Sequence, residues 1–292
     1  MQHLAEDKNL IEKHLSEIAG ETGKLTNIKT VSGGSINNSY YFTFVRKKYF
    51  LKCNSKSPFP GMFAGEFKGL KELAKCNLPL VPLPYIIFES ETSQYIIMDY
   101  KERKAEDDAF FEELGKNLAV IHRIKSTHFG FDESNYIGSL PQNNSKKENW
   151  DQFFIENRLT DLVKWSYDNA FFDKSNLNSF DNLYTHLKSI FPAGEPALLH
   201  GDLWSGNKMN TSAGPLIFDP AVYYGHREMD IAMTTLFSGF EKSFYKAYMQ
   251  SYPLENGYQE RLDICNLYPL LVHLKLFGKS YINDILRIIK KF

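Results

Sequence analysis

The sequence predicts an α+β chain in two parts, β-rich to about residue 100 and mainly helical beyond it. Three observations carry this. Short runs rich in aromatic and β-branched residues, punctuated by Gly, Pro, Ser and Asn, fill the first hundred positions. From Phe110 onward, apolar residues recur at helical spacing. One block, residues 197–219, breaks that helical half with two strand-like runs, Leu198-Leu199-His200 and Pro215-Leu216-Ile217-Phe218. We divide the chain into residues 1–100 and residues 101–292.

Leu10, Ile11, Leu15, Ile18 and Ala19 share one helical face and predict an amphipathic helix over residues 4–19. Residues 28–31, 40–45 and 49–53 read as strands, turning at Ser32-Gly33-Gly34-Ser35 and at Arg46-Lys47-Lys48. Phe67, Leu70 and Leu73 give a helix over 64–76. Pro79, Pro82 and Pro84 mark a loop before strands at 85–88 and 95–98. In the second part, Phe110, Phe111, Leu114, Leu118 and Ile121 line one helix. Residues 150–167, 177–191, 228–237, 243–252 and 259–290 give others, the last interrupted near Gly278. Only residues 197–219 are expected to interrupt these helices with strands.

At 292 residues the chain is long enough for two lobes sharing one cleft. Its net charge of −1, with both signs interspersed, argues against a nucleic-acid partner. No apolar run is long enough to span a bilayer, and the first residues lack the basic start and apolar stretch of a signal peptide. Three cysteines, Cys53, Cys76 and Cys265, without CxxC spacing, point away from a disulfide framework or zinc site and toward the cytoplasm. We expect a monomer or weak homodimer.

The chemistry concentrates in His200-Gly201-Asp202-Leu203-Trp204-Ser205-Gly206-Asn207, followed by Ile217-Phe218-Asp219. An Asp, an Asn five residues on and a second Asp closing the next strand form the set that a protein-kinase-like two-lobe fold uses for phosphoryl transfer. Asp202 would align the acceptor hydroxyl and take its proton, and Asn207 and Asp219 would hold Mg2+. Lys52, a lone charge in the strand Tyr49-Phe50-Leu51-Lys52-Cys53, would meet the ATP phosphates, with Glu66 on the next helix holding its ammonium. A solvated strand-face lysine is the plain alternative. Gly33, Gly34 and Ser35 would cover the phosphates with backbone N–H groups, although Gly-Gly is also an ordinary hairpin turn. Met98, Asp99 and Tyr100, ending the last strand, would meet the adenine edge. Cys53, next to Lys52, should point into the lobe core and be inert.

His200 is expected to pack beneath the loop. Asp230 either accepts backbone N–H bonds from that loop or merely favours a helix start. Trp204 either projects into the acceptor pocket, where it would stack on a sugar-like ring, or is a core tryptophan. The aromatic and partly basic segment Tyr223-Tyr224-Gly225-His226-Arg227 places His226 at the acceptor.

Leu198 through Asn207, then Gly214 through Ala221, then Tyr224-Gly225-His226-Arg227-Glu228, closely resemble the fructosamine-3-kinase (ketosamine-3-kinase) family. Met62-Phe63-Ala64-Gly65-Glu66, Phe129-Gly130, the stretch Asn135-Tyr136-Ile137-Gly138-Ser139-Leu140-Pro141-Gln142 and Phe237-Ser238-Gly239-Phe240 extend the likeness over nearly the whole chain. Asp-Leu-Trp-Ser-Gly-Asn separates it from aminoglycoside phosphotransferases and choline kinases, which share the broader His-Gly-Asp-x4-Asn pattern. The resemblance implies ATP- and Mg2+-dependent phosphorylation of the 3-hydroxyl of free or protein-bound ketosamines, whose unstable 3-phosphates release the amine. It implies the same roles for Asp202, Asn207, Asp219 and Lys52. Residues 31–38 contain no cysteine, so a redox-linked dimer seen in some relatives is not expected. Two other readings stay open: an aminoglycoside- or choline-type kinase of the same fold, and a nucleotide-binding pseudokinase.

Overall fold

A computed structural model describes residue 4 and residues 6–31 and 36–292. The turn with Gly33, Gly34 and Ser35 lies outside the described residues. An opening helix, α1 (Lys8–Ala19), precedes a five-stranded sheet of β1 (Thr26–Val31), β2 (Asn38–Phe44), β3 (Lys47–Ser55), β4 (Pro84–Glu89) and β5 (Ser93–Asp99). The spatial order is β1-β2-β3-β5-β4, every pair antiparallel, so β3 is central. Helix α2 (Met62–Leu73) crosses between β3 and β4.

Strand alternation then decides what each face of β3 meets. Tyr49, Leu51 and Cys53 join Ile11 and Leu15 of α1 in one buried cluster. Lys52 points to the other face, toward α2, and is only 4 % exposed. It is not a solvated surface lysine. Burial pushes the Cys53 thiol up to about 11, which leaves it protonated and unreactive at neutral pH.

The helical half contains α3 (Asp108–Ile121), α4 (Trp150–Phe154), α5 (Thr160–Asp168), α6 (Lys174–Ile190), α7 (Glu228–Met233), α8 (Lys242–Ser251), α9 (Tyr258–Phe277) and α10 (Ile282–Ile289). Three short antiparallel strand pairs lie among them: β6 (Asn135–Ile137) with β7 (Leu140–Gln142), β8 (Ala197–Leu199) with β11 (Tyr223–Gly225), and β9 (Lys208–Thr211) with β10 (Gly214–Ile217). Strands are therefore not confined to residues 197–219.

Two helices also depart from expectation. The stretch 150–167 is not continuous: a π-turn at Ile155–Leu159 separates α4 from α5 and turns Arg158 inward. The helix expected over 228–237 ends at Met233: the Thr235 and Leu236 N–H groups bond three residues back, to Ala232 and Met233, and Phe237 and Ser238 then take left-handed backbone angles, φ 53° and 85°. Phe63, Leu70, Ile96 and Met98 pack in one cluster with Leu114, Leu118, Leu198 and Ile217, so the apolar core runs from the sheet into the helical half. No helix among the described residues is long and apolar enough to cross a membrane.

Candidate active site

Strand β3 and helix α2 bring Lys52 Nζ to 2.5 Å from Glu66 Oε1, and the same ammonium contacts Asp219, 167 residues away in sequence. Burial alone would lower the Lys52 pKa, but the charges of Asp219 and Glu66 outweigh it and hold the ammonium above its ordinary range. Glu66, also desolvated and facing the charge of Asp219, is raised despite Lys52. Asp219 itself sits at φ 56° just before Pro220, a strained backbone position of the kind that collects at functional sites.

The loop that carries Asp202 is fixed from below. Asp230 Oδ2 accepts the N–H of His200 at 2.7 Å, and Oδ1 accepts that of Gly201 at 2.9 Å. His122 Nε2 lies 3.2 Å from the same carboxylate, and its Nδ1 lies 2.8 Å from the Tyr248 hydroxyl. Asp230 is thus a loop anchor rather than only a helix-start charge. His200 is fully buried beneath the loop. Its Nε2 faces the Phe218 carbonyl at 3.0 Å, which can only accept. Its Nδ1 is therefore the acceptor for the Asp202 N–H at 3.3 Å, and this one neutral ring ties the Asp202 loop to the residue before Asp219. Replacing Asp230 with alanine should strand these N–H groups. We expect a loss of about 3 kcal/mol or more, read as a thermal midpoint lower by roughly 2–4 °C per kcal/mol.

Asn207 Nδ2 donates to the Asp202 carbonyl at 2.8 Å and to its Oδ2 at 3.0 Å. With the nitrogen committed, Oδ1 of Asn207 is the atom available to a cation. Together with the half-exposed Asp219 carboxylate it makes an all-oxygen donor pair, the chemistry a hard divalent cation prefers. Burial, then the charge of Asp219, pushes the Asp202 carboxyl up from 3.8 to about 7.

Two cavities meet at this cluster, sharing Asn37, Lys52, Trp204, Asn207 and Asp219. One, of about 540 Å³, lies under the sheet and is lined by Thr30, Phe50, Met98, Asp99, Tyr100 and Leu216 among others. The Asp99 N–H is already bonded to the Leu83 carbonyl at 3.0 Å, so it cannot serve an adenine edge. The other cavity, of about 520 Å³, is lined by Asp202, Trp204, the turn after β6, and Val272, His273, Leu276 and Phe277 of α9. Trp204 is part-exposed there, edge-on to Phe237 at 6.0 Å, and is not a core tryptophan.

The family model for fructosamine kinase matches residues 8–292. The chain belongs to the fructosamine kinase family. It is 37% identical to a "probable ketoamine kinase" of Vibrio cholerae over 96% of this chain and 97% of that one. It is also 37% identical to the chloroplastic protein-ribulosamine 3-kinase of Arabidopsis thaliana, over 93% of this chain and 86% of that one. A solved structure from Haemophilus somnus, titled "putative fructosamine-3-kinase", superposes with a TM-score of 0.86 at 28% identity, covering 96% of each chain. The fold is protein-kinase-like.

Within this fructosamine kinase frame one sequence expectation is corrected. His226, expected at the acceptor, lines neither cavity. Its ring is buried between Trp150 and Phe191, centroids 5.9 and 5.1 Å away, and burial followed by the Arg261 charge pushes its pKa down to about 3. The apolar neighbours of residues 223–227 draw the segment into the core. The cavity wall from α9 was not anticipated. Its one sequence signal is His273, a polar ring among Val272, Leu276 and Phe277 on a single helical face.

The glycines of the loop differ in kind. Gly201 has φ 81°, and a Cβ there would overlap the Ala221 carbonyl. Gly206 needs no unusual angle; it is bare because the Trp204 indole lies directly over it. Gly206→Ala should therefore push the indole aside. Because Trp204 lines both cavities and Gly206 lines the one under the sheet, we expect KM to rise about tenfold for both substrates, checked by steady-state kinetics varying each in turn.

Proposed function

We propose that this chain is an ATP-dependent kinase phosphorylating the 3-hydroxyl of ketosamines, and that the phosphorylation leads to deglycation of the parent amine. The observation that carries the reading is the convergence of Lys52, Glu66, Asp219, Asn207 and Asp202 on the line where the two cavities meet. In this reading the cavity under the sheet takes ATP and the one beside α9 takes the sugar. The division near residue 100 separates a nucleotide-covering lobe from a catalytic one.

Asp202 aligns the acceptor hydroxyl and receives its proton as the γ-phosphoryl group moves to the oxygen. Lys52, braced by Glu66, meets the ATP phosphates, and Asp219 and Asn207 hold Mg2+, which neutralises phosphate charge. No covalent enzyme intermediate is needed, because positioning and charge neutralisation supply the catalysis.

Among the described residues, Glu66, Asp202 and Asp219 are the acidic side chains lining the acceptor cavity, and each already has a task at the phosphoryl end. That leaves no carboxylate wall for a polycationic aminoglycoside and favours a neutral sugar chain lying against Trp204. The free cysteines Cys53, Cys76 and Cys265 suit a reducing compartment such as the cytoplasm. The test is ATP consumption with Mg2+ on ribulose-lysine, fructose-lysine, kanamycin and choline. Turnover on the two ketosamines alone is expected, and turnover on kanamycin or choline would overturn the substrate assignment.

A further inference from the structure

Helix α2, which carries Glu66, approaches the lower half of the molecule through two glycines four residues apart. A Cβ on Gly65 would stand 3.0 Å from Asn135 Cβ, and one on Gly69 would stand 3.0 Å from Val222 Cγ2. The platform beneath α2 is therefore Asn135 and Val222. These two are joined: Asn135 Nδ2 donates to the Val222 carbonyl at 2.8 Å. Gln142, across the β6–β7 hairpin, donates to the Ala221 carbonyl at 3.1 Å. Two successive carbonyls just beyond Asp219-Pro220 are thus held by the same hairpin on which the Glu66 helix rests.

The orientation of each amide is forced. Carbonyls only accept, so the nitrogens of Asn135, Gln142 and Asn144 face Val222, Ala221 and Glu133 respectively. A guanidinium only donates, so Asn144 turns Oδ1 toward Arg158 at 2.7 Å. Asn135 Oδ1 then receives both Gln142 at 2.8 Å and Asn144 at 3.0 Å, and the Tyr268 hydroxyl donates to Gln142 Oε1 at 2.8 Å. Asn135, Gln142, Asn144 and Arg158 are all buried.

Arg158 makes no carboxylate ion pair among the described residues. Its charge is met by the Asn143 carbonyl at 2.5 Å, the Asn157 carbonyl at 3.0 Å and the rings of Tyr223 and Phe153, 4.1 and 4.6 Å from the guanidinium carbon. A buried cation without an acid is expensive; both terminal nitrogens of the guanidinium are hydrogen-bonded while its Nε has no partner among the described residues, so the polar network around it is held to one arrangement.

We propose that this amide cluster is the device that sets Glu66 against Asp219, making Asn135 a positioning residue for phosphoryl transfer. It acts on both sides of the Lys52 ion pair at once, supporting α2 from below and holding the chain that follows Asp219. The inference rests on the reading that Lys52, Glu66 and Asp219 serve phosphoryl transfer.

Asn135→Ala and Tyr268→Phe test it, with kcat on ribulose-lysine, the Mg2+ concentration for half-maximal rate, the Mg·ATP dissociation constant by calorimetry and the thermal midpoint read together. Asn135→Ala should lower kcat by about 10–100-fold and weaken Mg2+ dependence and Mg·ATP binding, as loss of a group supporting metal ligands does. Tyr268→Phe, which removes only the outermost hydroxyl, should shift the same quantities in the same direction by less. A lower thermal midpoint alone, with parental kcat and Mg2+ dependence per folded molecule, would overturn the proposal. Should Asn135→Ala not fold, parental values in Tyr268→Phe would overturn it equally. If the parent turns over no ketosamine, the substrate reading fails separately, and the calorimetric arm still decides the positioning role.

Discussion

Asp202→Asn is expected to bind ATP like the parent and to lose turnover by about 10²–10⁴-fold, the range that a positioned proton acceptor supplies. The substitution keeps the shape of the side chain, and an amide oxygen can still accept the Asn207 Nδ2 bond, now 3.0 Å to Oδ2. Lys52, Asn207 and Asp219 stay in place, so calorimetry with nucleotide should show parental affinity while coupled ATP consumption falls. Retained turnover would remove Asp202 from the mechanism.

The same variant should be more stable than the parent, and the effect has a defined pH signature. Burial and the Asp219 charge push the Asp202 carboxyl up from 3.8 to about 7 in the folded protein. Between those values the folded state holds a proton that the unfolded state has released. Folding stability therefore falls as pH rises through this window, and the deficit is complete above it. Asparagine carries no such charge. Its thermal midpoint in metal-free buffer should exceed the parent's at pH 8 and match it near pH 4. A midpoint gain independent of pH would refute the electrostatic cause.

Much of this site was legible because its parts obey short-range rules. Period-2 alternation in Tyr49–Cys53 was enough to place Cys53 in the lobe core and Lys52 on the opposite face, and the structure adds only that this face is closed by α2. Asp202, Asn207 and Asp219 lie within one loop and the strand after it, so their convergence is nearly local. What escaped depends on partners far away in sequence. The π-turn at residues 155–159 has no periodicity of its own, because it is stabilised by the burial of Arg158 among residues from other segments. Strands of three residues, as in β6 and β7, are too short to show alternation and exist because Asn135 and Gln142 bond the backbone at residues 221 and 222. His226 was misplaced because a polar residue among aromatics looks the same at a pocket wall and in a core. Only the packing of Trp150 and Phe191 decides between them.

Lys52→Met should be the most damaging single change in the nucleotide half. The ammonium is 4 % exposed and is bonded to Glu66 at 2.5 Å while also contacting Asp219. Methionine fills similar volume, so packing is largely kept and the effect isolates the charge. Its loss leaves the Glu66 carboxylate buried opposite Asp219 with like charge and no counter-ion. Truncating one partner of a buried pair typically costs about 3–5 kcal/mol, most of it from the charge left behind. Turnover should fall as well, since Lys101 and Arg103, the other cations lining the cavity under the sheet, are engaged by Asp99 and by the Lys208 carbonyl rather than by Glu66 and Asp219. Adding Glu66→Gln to Lys52→Met separates the two effects: it removes the orphaned charge, so the thermal midpoint should recover most of its loss while turnover stays absent. If the double variant melts no higher than Lys52→Met alone, the destabilisation comes from packing and the ion-pair account fails. If Lys52→Met retains parental turnover, Lys52 does not meet the phosphates, and the nucleotide would have to be held by the sheet side of the cleft without it.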